Sequence, residues 1–400
     1  MTALEEIQAR EARHVLQTYR RAPVTFVRGQ GVHLYDSDGR DYLDLLSGIG
    51  VASLGHGHPA LARAIAEQAQ TLIHISNLFY HPLQGQLAER LSALSGLSRA
   101  FFCNSGAEAV EACLKFARRY WFTRGEGRGE IIALEESFHG RTFGALSVTS
   151  DEHYRAPFAP LLAGVRFVPV NDPPALLAAV SRSTAAIIVE PIQGEGGVRP
   201  LSPAFAAAIN EACAATGALL IADEVQSGLG RTGQPFYSGV LGLKPHLMSL
   251  GKALGGGVPI GAALIGDEVA ATISFGDHGS TYGGNLLACR AGLCFLEELM
   301  DGGVLQNVRA VGPFFEQRLR ALATKHSIVK EVRGTGLIWG LELTRDATPV
   351  VPAALGERVI VNRTAETVVR LLPPLVITEA EADEALSRLD TALAAVGAMK

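Results

Sequence analysis

Ala218-Leu-Leu-Ile-Ala-Asp-Glu-Val-Gln226 runs through five apolar residues without a polar break and then turns abruptly to two acids. A strand with one wet face alternates; an uninterrupted short run reads as a strand buried on both faces of a sheet that helices cover. Similar runs recur at 131–134, 165–170, 185–189 and 262–265, separated by helical patterns such as 203–215. This order predicts an α/β fold built on a mainly parallel sheet. Ligands of such sheets bind beyond the carboxyl ends of the strands, where Glu190 and Asp223 to Gln226 stand.

Outward from this centre, 32–35 and 42–44 flank Asp36-Ser-Asp-Gly39 and read as a hairpin. Helices are expected at 60–72, 83–94 and 108–121. Beyond about Leu296 helical patterns dominate, interrupted by strand candidates at 329–333, 337–342 and 367–372. We expect three segments: 1–50 packing with a small domain, 51–295 as the large domain, and 296–400 as a smaller α/β domain. The second boundary falls inside a helix candidate at 286–300.

The 400 residues are 48% hydrophobic, enough for a large interior, and no apolar run reaches the roughly 18–20 residues of a membrane span. Met1 to Arg21 has no apolar core of the signal-peptide kind. Five cysteines without CxxC spacing read as reduced, buried residues of a cytoplasmic protein, and no metal is expected. A net charge of −5 with both signs dispersed argues against nucleic acid or membrane as the partner.

Several stretches carry candidate chemistry, the first three with a plainer alternative. In Ser249-Leu-Gly-Lys-Ala-Leu-Gly-Gly-Gly257, Lys252 has no carboxylate neighbour along the chain, and desolvation would leave its amine nucleophilic. A surface lysine on a Gly-rich loop has the same letters. Asp223 at a strand end requires a cationic partner if buried, or caps a helix if not. Cys103-Asn-Ser-Gly-Ala-Glu-Ala109 opens a helix whose free N–H groups suit a phosphate, or it is an ordinary cap by Ser105. Glu136-Ser-Phe-His-Gly-Arg-Thr142 offers an aromatic ring and an arginine, and His278-Gly-Ser-Thr-Tyr-Gly-Gly-Asn285 a hydroxyl- and glycine-rich loop.

Taken together and in this order, the blocks NSGAEAVEACLKFAR, SFHGRT, VEPIQGEGGV, DEVQSGLGRTG, KALGGGVPIGA, HGSTYGGN and RLLPPL resemble the class III aminotransferases, closest to the acetylornithine enzymes. The resemblance implies fold type I of the pyridoxal 5′-phosphate (PLP) transferases, with a seven-stranded sheet in the large domain. It implies that Lys252 carries PLP as a Schiff base and that Asp223 pairs with the pyridine nitrogen. Phe138 and Val225 would sandwich the ring, Gln226 would reach its phenolic oxygen, and Ser105, Gly106 and Ala107 would hold the phosphate. Ser280 and Thr281 resemble residues supplied by a neighbouring subunit, which implies a homodimer with shared sites. Arg141, Glu195, Arg370, Ser280 and Tyr19 are carried over as substrate contacts: Arg141 for a carboxylate in both half-reactions, Arg370 for the α-carboxylate of glutamate, and Glu195 to neutralise Arg370 when the donor has none there. The implied reaction moves the terminal amine of N2-acetylornithine to 2-oxoglutarate, as in arginine biosynthesis. Ile49, where ornithine enzymes carry a tyrosine, favours the acetylated donor over free ornithine. Succinyldiaminopimelate, 4-aminobutyrate and carrier-linked lysine are the other donors, and a catalytically silent PLP-binding protein is the alternative class. Three positions depart from the family: Ala107 and Val110 replace Thr and Asn, and Leu286 replaces the helix-starting proline.

Overall fold

The chain is described over residues 3–399 by a computed structural model. The expected hairpin forms from β2 (His33–Asp36) and β3 (Asp41–Asp44), with β1 (Phe26–Gln30) antiparallel to β2. Asp36 shapes the turn, since its Oδ1 accepts the N–H groups of Asp38 and Arg40 at 3.0 and 2.9 Å.

Seven strands make the central sheet: β4 (Arg99–Cys103), β5 (Glu130–Leu134), β6 (Val165–Val168), β7 (Thr184–Val189), β10 (Leu219–Asp223), β11 (Leu247–Leu250) and β12 (Gly261–Ile265). A short ribbon of β8 (Ile192–Gln193) and β9 (Arg199–Pro200) lies between β7 and β10 in the chain. The spatial order is β4-β12-β11-β10-β7-β5-β6, parallel throughout from β11 to β6 and antiparallel on both sides of β12. Every residue of β7, β10 and β12 is buried, as their uninterrupted apolar runs required, and so is β11; the run at 165–170 gives the edge strand β6, which is buried only in part. The patterns did not single out β4 or β11. Both are short; Arg99 opens the first and Ser249 breaks the apolar run of the second.

Helices cover the sheet. Gly106–Thr123 buries nine side chains, among them Val110, Leu114 and Ala117. Pro203–Thr216 begins where Ser202 Oγ accepts the Phe205 N–H, and ends at Gly217 with φ 77°. Leu286–Met300 starts without the family's proline because Asn285 caps it, accepting the Ala288 N–H at 2.9 Å.

The C-terminal third holds an antiparallel sheet of β13 (Val329–Thr335), β14 (Ile338–Leu343), β17 (Val368–Leu371) and β16 (Asn362–Thr364), in that order. The remaining strand, β15 (Val359–Ile360), leaves it and runs parallel to β3 of the N-terminal hairpin. One apolar core accordingly joins Val32 and Leu43 to Leu250, Leu296, Phe315 and Leu389. Buried Arg231 ties the same parts together through its guanidinium, which donates to Ser53 Oγ at 3.0 Å, Leu337 O at 3.1 Å and Pro373 O. No described helix is long and apolar enough to cross a membrane, and all five cysteines are buried and free.

Candidate active site

At the carboxyl edge of the sheet, Asp223 ends β10 with both oxygens occupied. Its Oδ1 accepts Ser249 Oγ at 2.9 Å and the Val225 N–H at 3.1 Å, and its Oδ2 lies 2.7 Å from His139 Nδ1. His139, Asp223 and Ser249 are 3%, 5% and 0% exposed, so this is a desolvated polar cluster rather than a capping carboxylate. Burial alone would lower the His139 pKa. The hydrogen bond and charge of Asp223, with the charge of Glu190 behind, more than offset it and raise the imidazole above its ordinary value. Glu190, which follows β7, accepts the N–H groups of Phe138 and Gly194 at 2.9 and 3.1 Å. Burial pushes its carboxyl up to about 7, against the pull of His139. Sequence reading gave no role to His139 or Ser249. Asp223 and Ser249 face each other only through the β10–β11 register, and His139 arrives from the turn after β5.

Lys252 follows β11 in a left-handed conformation, φ 42°, which costs a non-glycine residue energy and is typical of functional positions. Burial is the largest influence on its amine and lowers the pKa; Glu195 opposes this, Arg370 reinforces it, and Asp223 and Glu190 oppose it. The expectation of an amine without carboxylate neighbours therefore holds along the chain but not in space. The net direction remains toward the free amine.

The Gly106–Thr123 helix starts against Gly251, the residue before this lysine. Ser105 caps it by accepting the Glu108 N–H at 3.2 Å, and Glu108 accepts the Asn104 N–H at 2.6 Å. The N–H groups of Gly106 and Ala107 belong to the first turn, which has no intrahelical acceptors. Packing demands glycine here: a Cβ on Gly106 would lie 2.7 Å from Val225 Cγ1, and one on Gly251 would lie 2.9 Å from Gly106 Cα.

Arg370, on β17, is completely buried. Its Nη1 donates to Glu195 Oε1 at 2.5 Å and Gln226 Oε1 at 3.0 Å, and its Nε to Asn362 Oδ1 at 3.3 Å. Its Nη2 has no partner among the described residues. Burial would raise the Glu195 carboxyl, but Arg370 and then Lys252 hold it below its ordinary value. Gln226 thus has its oxygen on Arg370 in this structure. Arg141 is exposed, with its guanidinium 3.6 Å over the Tyr154 ring and 5.6 Å from the Phe138 ring centre. Phe138, Tyr154, Glu195 and Thr364 line one cavity of about 790 Å³.

Of the remaining sequence candidates, Ser280 adjoins the start of the Gly106–Thr123 helix. Ser280 Oγ accepts the Gly283 N–H at 3.0 Å and Asn104 Nδ2 at 3.3 Å, and Thr281 is exposed. Tyr19 is 75% exposed and makes no hydrogen bond or ring contact among the described residues. Ile49 has φ 65°, an outlier for a β-branched residue, in a turn whose Ser47 Oγ donates to Leu372 O at 2.7 Å.

A family model described as aminotransferase class-III matches residues 15–393. An acetylornithine aminotransferase of Caldanaerobacter subterraneus subsp. tengcongensis is 46% identical over 388 residues, covering 96% of this chain and 98% of the relative. Among solved structures, the ornithine aminotransferase of Toxoplasma gondii ME49 superposes with a TM-score of 0.94 at 32% identity, covering 99% of this chain and 96% of that one. The N-acetylornithine aminotransferase of Stenotrophomonas maltophilia K279a superposes at 0.83 and 35% identity, covering 97% and 98%.

Proposed function

This chain belongs to the class-III aminotransferases, and from that premise we propose that it moves the terminal amine of N2-acetylornithine to 2-oxoglutarate. The observation that carries this reading is the Glu195–Arg370 pair. A donor reacting at its terminal amine brings no carboxylate near the reacting carbon, so a buried arginine there must be neutralised by the protein. Ile49 and the 46% identity to an acetylornithine enzyme support the acetylated donor over free ornithine.

Enzymes of this family depend on PLP. The residues fit that group: the start of the Gly106–Thr123 helix with Ser105 suits the phosphate, Phe138 and Val225 suit the ring faces, Asp223 suits the pyridine nitrogen, and Lys252 suits the carbonyl carbon. When bound, the cofactor supplies a carbonyl for amine exchange and a ring that accepts the electron pair released at the substrate carbon. Lys252 Nζ, with its pKa lowered by burial, would take the proton from that carbon and deliver it to the carbon that was the cofactor's carbonyl. Asp223, held by His139 and Ser249, keeps a proton on the ring nitrogen. Arg141, braced by Tyr154, binds the substrate's α-carboxylate when the terminal amine reacts and the distal carboxylate of glutamate in the other half-reaction. Arg370 binds the α-carboxylate of glutamate once Glu195 moves aside.

The active enzyme is a cytoplasmic homodimer in this reading, with Ser280 and Thr281 completing the partner's phosphate site and Tyr19 reaching substrate. Support comes from apolar side chains left exposed beside Thr281: Tyr282, and Leu78, Phe79 and Tyr80 on a loop that Asn77 Nδ2 ties to Ser280 O at 3.0 Å.

The test is a donor screen with 2-oxoglutarate as acceptor. N2-acetylornithine should exceed free ornithine and 4-aminobutyrate in kcat/KM by about tenfold or more. A ranking led by free ornithine would overturn the substrate assignment and leave the family intact.

A further inference from the structure

Arg370 is anchored independently of Glu195. Were Glu195 to leave, Nη1 would keep Gln226 and Nε would keep Asn362. The arginine is completely buried, whereas the Glu195 side chain is 33% exposed and lines the cavity of about 790 Å³. The carboxylate is therefore the movable member of the pair.

What holds Glu195 besides Arg370 is Thr364, the last residue of β16 and 6% exposed. Its Oγ1 donates to the backbone O of Glu195 and lies 3.3 Å from Glu195 Oε2. A hydroxyl has one hydrogen, so these two acceptors share it. If the carboxylate swings into the cavity, the hydroxyl keeps the backbone acceptor, and no buried donor is stranded. Thr364 thus favours the closed position of Glu195 without penalising the open one.

We propose that Thr364 is a specificity-determining latch, which holds the Glu195 carboxylate over Arg370 and so sets how easily a substrate carboxylate can displace it. This rests on the reading of Glu195 and Arg370 given above. A ligand with a carboxylate for Arg370 binds only the open state and pays the latch. A terminal-amine donor binds the closed state, which stays the majority. Removing the latch should shift the two ligand classes unequally, which a general loss of packing would not do.

Glutarate has both carboxylates of glutamate and no amine, so its binding to the PLP-loaded enzyme can be titrated calorimetrically without turnover. Thr364→Val keeps the shape and removes the donor. It should tighten glutarate by about 2- to 3-fold, the low end of the worth of a hydrogen bond because the hydrogen is shared, and change the single-turnover half-reaction of N2-acetylornithine in a different direction or by a smaller factor. Thr364→Ser, which retains a hydroxyl, should behave like the parent. Thr364→Cys, a weaker donor, should shift glutarate in the same direction if Thr364→Val fails to fold. Unchanged or weaker glutarate binding in Thr364→Val, or a Thr364→Ser variant that resembles it, overturns the latch. Glu195→Gln separates the two levels. If it tightens glutarate while Thr364→Val does not, only the latch fails; if it does nothing, the Glu195–Arg370 reading fails and the latch with it.

Discussion

Asp223 shows how much a single side chain depends on neighbours from other elements. His139 and Ser249 occupy its two oxygens, and its own hydrogen bond and charge raise the pKa of the imidazole against burial. The proposed task of Asp223 is to hold a proton on the cofactor ring, so His139 is a positioning residue acting through it. His139→Gln should lower kcat by about 10- to 100-fold with smaller changes in KM, the scale of a lost hydrogen bond to a charged group. The cofactor's visible absorbance and its pH profile should shift as well; an unaltered spectrum and profile would reduce His139 to packing. Arg370 allows a sharper test. Arg370→Ala should damage the glutamate half-reaction by roughly 30- to several-thousand-fold and spare the N2-acetylornithine half-reaction. Equal losses in single-turnover measurements of the two would mean that the paired glutamate plays no part in substrate choice.

At the scale of elements, the site is built where β10 and β11 run out together. That junction is fastened at its other end by His246, whose backbone N–H donates to Leu220 O and whose Nδ1 accepts the Leu220 N–H, both at 2.9 Å. Accepting a hydrogen bond requires an unprotonated Nδ1. Burial, against a weaker pull from Glu268, lowers the imidazole below its ordinary value of 6.5. As pH falls, the unfolded chain takes up this proton before the folded one does. The contribution is therefore complete above pH 6.5 and declines as pH drops toward the folded-state value. Calorimetric Tm between pH 8 and 5 should fall less steeply in His246→Asn, whose amide oxygen can accept without titrating; an identical slope would sink this account. The elements themselves were largely legible. Runs with no polar residue, such as Ala185 to Val189, read as strands buried on both faces and are so, and Leu286–Met300 fell on its expected bounds. β4 and β11 were not, because a strand of four or five residues containing Arg99 or Ser249 carries too little periodicity to be recognised.

The whole molecule poses a different question, since the single chain leaves Thr281 exposed and Tyr19 in contact with nothing in the site. In the proposed homodimer each site takes Lys252 from one subunit and Thr281 from the other. Mixing Lys252→Ala chains with Thr281→Ala chains should then collect both lesions in one site and restore the other. Mixtures refolded together should recover activity that neither variant has alone. Failure to recover, or a fully active monomer by sedimentation, would remove the shared site.

The sequence alone determined the buried-strand pattern, the placement of Asp223 and Glu190 at strand ends, and the identity of Lys252 as the odd lysine in a glycine-rich stretch. These are legible because they rest on local periodicity and on composition within a few residues. Only the tertiary structure decided which charges meet. Arg370 and Glu195 lie 175 residues apart, and Asp223 and His139 lie 84 apart. Their pairing depends on β17 reaching the carboxyl edge of the central sheet, and on the turn after β5 folding back over β10. Nothing local encodes such an approach. It follows from how the apolar core closes around Leu43, Leu250 and Leu371, bringing distant strands to one edge and leaving their polar ends to satisfy one another.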